Sequence, residues 1–176
     1  YSDPIYLSEP KNPERGDVVV FKYPRDQSIN YIKRVVGLPG DTIEMVNKEV
    51  FVNGQKIMTK DVTGKQAGNE IRKDMDEKFK AYDLKYLKTQ TGKHQHYTQI
   101  NQNNFYNSDF SRRVVPKGHF FVMGDNRDFS SDSRIWGFVP HQLIKGEAIF
   151  VWFSMILPFS EHKFKFRPWR IGTKID

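Results

Sequence analysis

The chain has 176 residues, which is enough for one domain, or one domain with an inserted subdomain, to bury its own core. Its net charge of +7 suits a nucleic acid, an anionic lipid surface or simple solubility. The basic residues form no single tract and no zinc-finger or RNA-binding motif occurs, so we expect no nucleic-acid partner. The absence of cysteine excludes disulfides and thiol chemistry.

Short apolar runs separated by turn residues predict a meander of antiparallel strands in the first third of the chain. Leu38-Pro39-Gly40-Asp41 has the composition of a tight turn, and Asn53-Gly54 that of a hairpin turn. The first run is preceded by Arg15-Gly16-Asp17 and ends at Pro24. The predicted strands lie within residues 15–23, 30–36, 42–46, 49–52 and 55–57.

Residues 58–112 depart from this pattern, because they are polar and show little regular alternation. They predict an inserted, solvent-facing subdomain with a few strands. The apolar pattern returns at Val114–Met123 and again at Gly146–Phe153. We therefore predict a mainly β fold: residues 1–57 and 113–176 form a coiled antiparallel β-sheet core, and residues 58–112 form a smaller inserted subdomain.

One lysine of the second predicted strand is a candidate general base. Side chains alternate along a strand, so Tyr31, Lys33 and Val35 share one face. Burial there would disfavour the charged ammonium, and lowering its pKa from about 10.4 to about 7.5 corresponds to roughly 4 kcal/mol. A neutral lysine can take a proton from a serine hydroxyl. The simpler alternative is an edge-strand lysine that prevents aggregation.

A long loop at Gly124–Pro140 contains charges of both signs together with several serines. Such charges can pair with one another and hold a rigid shape, and a serine hydroxyl there could orient a neutral lysine amine. The loop lacks the spacing and final Glu of a calcium-binding EF-hand. His94-Gln95-His96 has no third ligand nearby, and such histidines are usually surface residues. We expect no metal and no cofactor.

Three segments in the right order resemble sequence boxes of the bacterial type I signal peptidases. Arg15–Phe21 resembles the Arg-Gly-Asp strand box, and Tyr31–Asp41 resembles the box that carries the base lysine. Gly124–Pro140 resembles the third box over a long, ungapped match. The resemblance covers residues 14–57 and 114–153 well, and the region between them only as a variable inserted domain.

This resemblance implies a serine endopeptidase that removes N-terminal signal peptides from secreted preproteins by a Ser–Lys dyad, without a cofactor. Lys33 would be the general base, and Ser130 would orient it. The implied supporting residues are Asp132 paired with Arg134, and Asp125 paired with Arg34.

The same resemblance implies a substrate bound as an added β-strand. Asn30, Tyr31 and Ile32 would contact it, with Ile32 lining pockets for small side chains. The family is anchored in the bacterial cytoplasmic membrane, with its catalytic domain on the outer, periplasmic face. The apolar stretch Ala148–Phe159 is too short to span a bilayer as a helix, but it would suit contact with the membrane surface. The alternative is a core strand followed by an apolar loop.

The family's nucleophilic serine lies in a Ser-x-Met-x-Pro box upstream of the Arg-Gly-Asp box, and nothing in this sequence matches it. Ser2 and Ser8 lack the methionine and the apolar context. We expect the serine to lie upstream of Tyr1, so that the 176-residue chain alone does not cleave peptides. Alternatives are a serine supplied by a second chain, or a homologue that binds signal peptides without cutting them. A self-cleaving repressor-type protease would use the same chemistry, but its DNA-binding helices are missing.

Overall fold

The computed structural model describes residues 11–74, 79, 81–103, 108–151, 155–156, 165–166 and 172–175. Short antiparallel strands dominate these residues, and they confirm the predicted mainly β fold with a curled antiparallel sheet. The strands are grouped in three sheets of three or more strands and two isolated pairs.

The first sheet carries the lysine-bearing strand at its centre. Its strand order is β11-β10-β2-β1-β12, with antiparallel pairing throughout. β2 is longer than the predicted strand, because its first residues extend the hairpin with β1. The bounds are β1 Val18–Tyr23, β2 Asp26–Gly37, β10 His119–Met123, β11 Val139–Pro140 and β12 Ile144–Glu147.

The second sheet contains the predicted meander and has the order β5-β4-β3-β9. Both predicted turns are present: Gly40 has a φ of +91° and Gly54 a φ of +76°, which glycine tolerates best. The bounds are β3 Thr42–Val46, β4 Glu49–Val52, β5 Gln55–Lys56 and β9 Phe110–Val114. β9 therefore begins within the last residues of the 58–112 region and pairs with β3.

The third sheet is built from the polar middle of the chain, with the order β6-β7-β8. Eight consecutive residue pairs join β7 to β8, from Leu84↔Asn101 to Thr91↔His94. Val62, Leu84 and Tyr86 are buried beneath this sheet. The bounds are β6 Thr59–Asp61, β7 Leu84–Thr91 and β8 His94–Asn101, and helix α1 at Gln66–Asp74 lies between β6 and β7.

Two predicted apolar runs are interrupted. Val114–Met123 ends one strand and begins another, because Pro116 has no N–H to donate and Gly118 adopts a φ of +71°. The predicted strand at Gly146–Phe153 stops at Glu147. The Ala148 N–H donates a hydrogen bond to the Val18 carbonyl at 2.7 Å, and β1 begins at Val18. The residues after Ala148 therefore cannot pair with β1 and need another strand as a partner.

That partner is β16 (Thr173–Lys174), which pairs with β13 (Phe150–Val151). A second short pair joins β14 (Met155–Ile156) to β15 (Lys165–Phe166). Most of the predicted membrane-contact stretch Ala148–Phe159 lies outside the described residues.

The two faces of β2 pack into two different cores, as its alternating side chains require. Val35 belongs to one cluster, with Val19, Phe21 and Val122. Val36 belongs to the other, which lies against the second sheet and includes Ile43, Met45 and Phe121. This double burial fixes the register of β2, because a slip of one residue would exchange its faces.

Candidate active site

Lys33 lies where the strand pairing of β2 changes. β10 pairs with β2 only as far as Met123, opposite Arg34, and the chain then turns away at Gly124. On that side, no strand of the described residues pairs with β2 over Asp26–Lys33, although β1 pairs along the other side. Lys33 therefore stands at the inner end of an open sheet edge.

The structure brings Lys33 and Ser130 together, although 97 positions separate them in the sequence. The Lys33 Nζ donates a hydrogen bond to Ser130 Oγ at 2.9 Å. Nζ also lies 5.6 Å from the centre of the Tyr31 ring. Lys33 is half-buried, and this burial lowers the pKa of its amine, against the opposing effect of the Asp132 carboxylate.

Gly124 makes this contact possible, and the sequence reasoning missed it. A Cβ at Gly124 would lie 2.1 Å from Ser130 Oγ and 2.6 Å from Ser130 Cβ. It would also lie 3.5 Å from Lys33 Nζ. Any side chain at this position would therefore displace the serine hydroxyl from the lysine.

A buried ion pair holds the loop that carries Ser130. Asp132 is fully buried and receives bonds from Arg134 Nε and Nη2, both at 2.8 Å. Its Oδ2 also accepts the Gly124 N–H at 2.9 Å, which ties the loop to the end of β10. The Ser133 hydroxyl accepts the Val122 N–H at 2.9 Å. The predicted Asp132–Arg134 pairing is thus confirmed.

A second pair lies behind β2. The Arg34 guanidinium is buried and contacts Asp125 through Nε at 3.1 Å and Nη2 at 2.9 Å, which confirms this predicted pairing too. Its Nη1 donates to the Gly16 carbonyl at 2.7 Å. Burial alone would raise the pKa of the Asp125 carboxyl, but the nearby His96 ring and the hydrogen-bonded Arg34 guanidinium outweigh it, so the pKa lies well below its ordinary value.

The histidines of the β7–β8 hairpin face the core, so the expectation of surface residues is wrong for His96, which is buried. Its Nδ1 lies 3.3 Å from Asp125 Oδ1, and burial lowers the pKa of its imidazole. His94 Nε2 lies 3.1 Å from Oδ1 of the buried Asp17. Sequence reasoning could not find these contacts, because pairing with distant acids leaves no local signal. The hairpin therefore braces both the Arg-Gly-Asp strand and the loop.

The predicted substrate-contacting residues lie along the open edge of β2. Asn30 is exposed, and Ile32 is 53% exposed despite being a large apolar side chain. Tyr31 points the other way and stacks on Tyr23, with ring centroids 4.6 Å apart. Asn30 and Ile32 are thus accessible to a ligand, whereas Tyr31 helps to fix the strand.

No group of three or more His, Cys, Asp or Glu side chains within the described residues could hold a metal ion. None of the helices in that part of the chain is long and apolar enough to cross a membrane.

Comparison with known proteins identifies the family of this chain. The sequence matches the family described as "Signal peptidase, peptidase S26" over residues 3–153, and the chain belongs to this family. The crystal structure of a signal peptidase I from Enterococcus faecalis V583 superimposes with a TM-score of 0.51 and 26% identity. The match covers 78% of this chain and 97% of that one.

Curated relatives carry the same name. The chain is 36% identical over 154 residues to signal peptidase I of Pseudomonas aeruginosa, covering 81% of this chain and 50% of that protein. It is 36% identical over 184 residues to signal peptidase I of Rickettsia typhi, covering 94% and 64%. The chain therefore spans about half to just under two thirds of the length of these relatives.

Proposed function

We propose that this chain is the catalytic core of a signal peptidase I, a serine endopeptidase that removes N-terminal signal peptides from secreted preproteins. The observation that carries the proposal is the 2.9 Å hydrogen bond from Lys33 Nζ to Ser130 Oγ at the end of an open sheet edge. Membership of the signal peptidase family supports the same reaction.

The direction of that hydrogen bond suits a general base. A neutral lysine amine has two N–H donors and one lone pair, and Ser130 accepts one of the N–H groups. The lone pair stays available for a nucleophilic serine hydroxyl. Lys33 would take the proton of that hydroxyl as its oxygen attacks the scissile carbonyl, and would then return it to the leaving amine. The lowered pKa of Lys33 favours the neutral form that this step needs.

The proposed dyad requires a second serine, since Ser130 is engaged as the acceptor that orients Lys33. We propose that a segment upstream of Tyr1 supplies it, on the open side of Lys33. On this account, the chain from Tyr1 to Asp176 without that segment binds signal peptides but does not cut them. Peptide mapping of the natural protein should reveal a Ser-x-Met segment upstream of Tyr1.

The substrate would bind as an extended strand along the unpaired edge of β2. Its backbone would bond with the free N–H and C=O groups near Asn30 and Ile32, while the exposed Ile32 side chain would contact small substrate side chains. An extended segment next to a signal sequence can offer such a strand, because small side chains allow close approach.

The proposed location is the outer face of the bacterial cytoplasmic membrane, where secreted preproteins emerge. In the described part of the stretch Ala148–Phe159, Ile149 is 56% exposed, which suits contact with a membrane surface. Binding to vesicles that is reduced by Ile149→Asp would support this placement.

The direct test of the proposed function uses the gene product that contains this chain, incubated with a secretory preprotein. Lys33→Met keeps the length and apolar stem of the side chain but removes the base, so cleavage should stop while the thermal unfolding transition persists. Lys117→Met, on an exposed turn, is the matched control and should cleave normally. Persistent cleavage by the Lys33 variant would exclude the proposed mechanism.

A further inference from the structure

A cleft of about 320 Å³ lies between the second and third sheets, away from the open edge of β2. One wall comes from β4 and β5, and the other from β6, β7 and β8. Its volume falls at the lower end of the range of small-molecule sites. Ile57, Leu87 and Ile100 give it an apolar lining.

Arg127 lines this cleft, and its buried guanidinium is incompletely hydrogen-bonded among the described residues. The residue is only 7% exposed, and its Nε has no hydrogen-bond partner among the described residues. No carboxylate of the described residues forms an ion pair with it. Burial lowers the pKa of Arg127 to about 10, so the side chain stays charged at neutral pH. A buried charge without a partner is costly, which makes this an unusual arrangement.

The neighbouring acids do not remove this excess charge, because each already has its own partner. Asp125 bonds Arg34 and Asp132 bonds Arg134. The next acid, Asp128, accepts the Asn101 N–H at 2.7 Å and lies 3.6 Å from Lys48 Nζ. Each of these three carboxylates therefore has a cation other than Arg127 as its ion-pair partner.

Most of the other charged residues on the cleft wall are cations, although Lys85 also lies 3.3 Å from the exposed Asp61. Lys48, Lys56 and Lys85 line the cleft together with Arg127, and the acid among the lining residues, Glu49, bonds Lys56. Facing cations attract a multiply charged anion, and a guanidinium fork matches the oxygens of a phosphate group.

We propose that this cleft binds a phosphate group, with the Arg127 guanidinium as the central contact and Lys48 and Lys85 as flanking cations. The apolar wall would receive the organic part of a small phosphate ester. A soluble ester and a phospholipid headgroup share this chemistry. Arg127 lies three residues before Ser130, and its carbonyl accepts a bond from Arg134, so the ligand would touch the loop that positions the proposed base.

The test follows the Arg127 Nε–H signal of the labelled wild-type chain, and in every variant the backbone N–H signals of the cleft residues, in a ¹H–¹⁵N NMR titration with inorganic phosphate at constant ionic strength. The proposal predicts a shift that saturates, and a binding constant weakened at least tenfold in Arg127→Met. Lys85→Gln should weaken binding several-fold, whereas Lys117→Gln, outside the cleft, should not change it. Because the main observation uses the wild-type chain, it holds even if the Arg127 variant folds poorly.

Two further probes distinguish the source of the phosphate. Glycerol 3-phosphate represents a soluble ester, and dihexanoyl phosphatidic acid below its micelle concentration represents a headgroup. Tighter binding of either one, with the same Arg127 shift, supports the site and names the ligand class. A signal that moves only linearly with total salt for all three probes, or equal affinities in Lys85→Gln and Lys117→Gln, would overturn the proposal.

Discussion

Replacing Gly124 with alanine is the smallest change that should separate Ser130 from Lys33. The new Cβ would lie 2.1 Å from Ser130 Oγ, whereas ordinary contact begins at 3.4 Å. Ser130 must therefore move by about 1 Å, since the new methyl group cannot retreat while the backbone N–H at this position stays bonded to Asp132. The φ of Gly124 is not in the left-handed region, so the effect is steric and not a matter of backbone strain.

A misplacement of about 1 Å in a catalytic group can cost about a hundredfold in rate. We therefore expect kcat of the gene product on a preprotein to fall about a hundredfold in Gly124→Ala. Overpacking should also lower the unfolding free energy by about 1–3 kcal/mol. Both quantities can be measured, by a cleavage time course and by urea unfolding.

Gly146→Ala is the matched control, because a Cβ there would meet no atom within 4 Å and its φ is likewise not left-handed. It should cleave and unfold like the natural protein. If Gly124→Ala cleaves as fast as Gly146→Ala, then the Lys33–Ser130 contact does not govern activity and the reasoning fails.

Three further predictions concern the groups around this contact. Ser130→Ala should reduce cleavage less completely than Lys33→Met, because it removes the orienting acceptor but leaves the base; equal loss in both would contradict this division of roles. Asp125→Asn should lower the unfolding free energy by about 3 kcal/mol, since it leaves the buried Arg34 without its carboxylate, whereas the exposed Asp26→Asn should have little effect in urea unfolding. The pKa of Asp125 is lowered in the folded state, so its contribution to the free energy of unfolding is complete above about pH 5 and is lost as the pH falls through about 4 and below. Asp125→Asn should therefore flatten the pH dependence of the unfolding free energy in that window. An unchanged slope would count against the pairing of Asp125 with Arg34.

The sequence predicted most where chemistry and spacing are local. The β meander followed from apolar runs and turn residues, and the pairings Asp132–Arg134 and Asp125–Arg34 followed from the family's boxes. Lys33 was a candidate because it is a lysine in an apolar strand, whereas Ser130 was chosen among the serines of the charge-rich loop by the family resemblance.

What the sequence could not predict depends on contacts between distant segments. Gly124 is needed at this position because Ser130 packs against it, and the local sequence contains no signal that predicts this close approach. His94 and His96 resembled surface residues in a polar segment, yet they lie beside the buried Asp17 and the loop residue Asp125. The late strand stops at Glu147 because its neighbour β1 begins at Val18, which is a property of the sheet rather than of the strand.

The central claim is that Lys33 is held in a site that favours its neutral form, and the pKa of its amine tests this most directly. The titration can be followed by ¹³C NMR at the lysine Cε of the labelled chain, with Lys33→Arg used to assign the signal. The account predicts a pKa for Lys33 clearly below the ordinary value of 10.5, because burial outweighs the Asp132 carboxylate. A pKa at or above 10.5 would mean that the carboxylate dominates, and Lys33 would then be a structural cation and not a base.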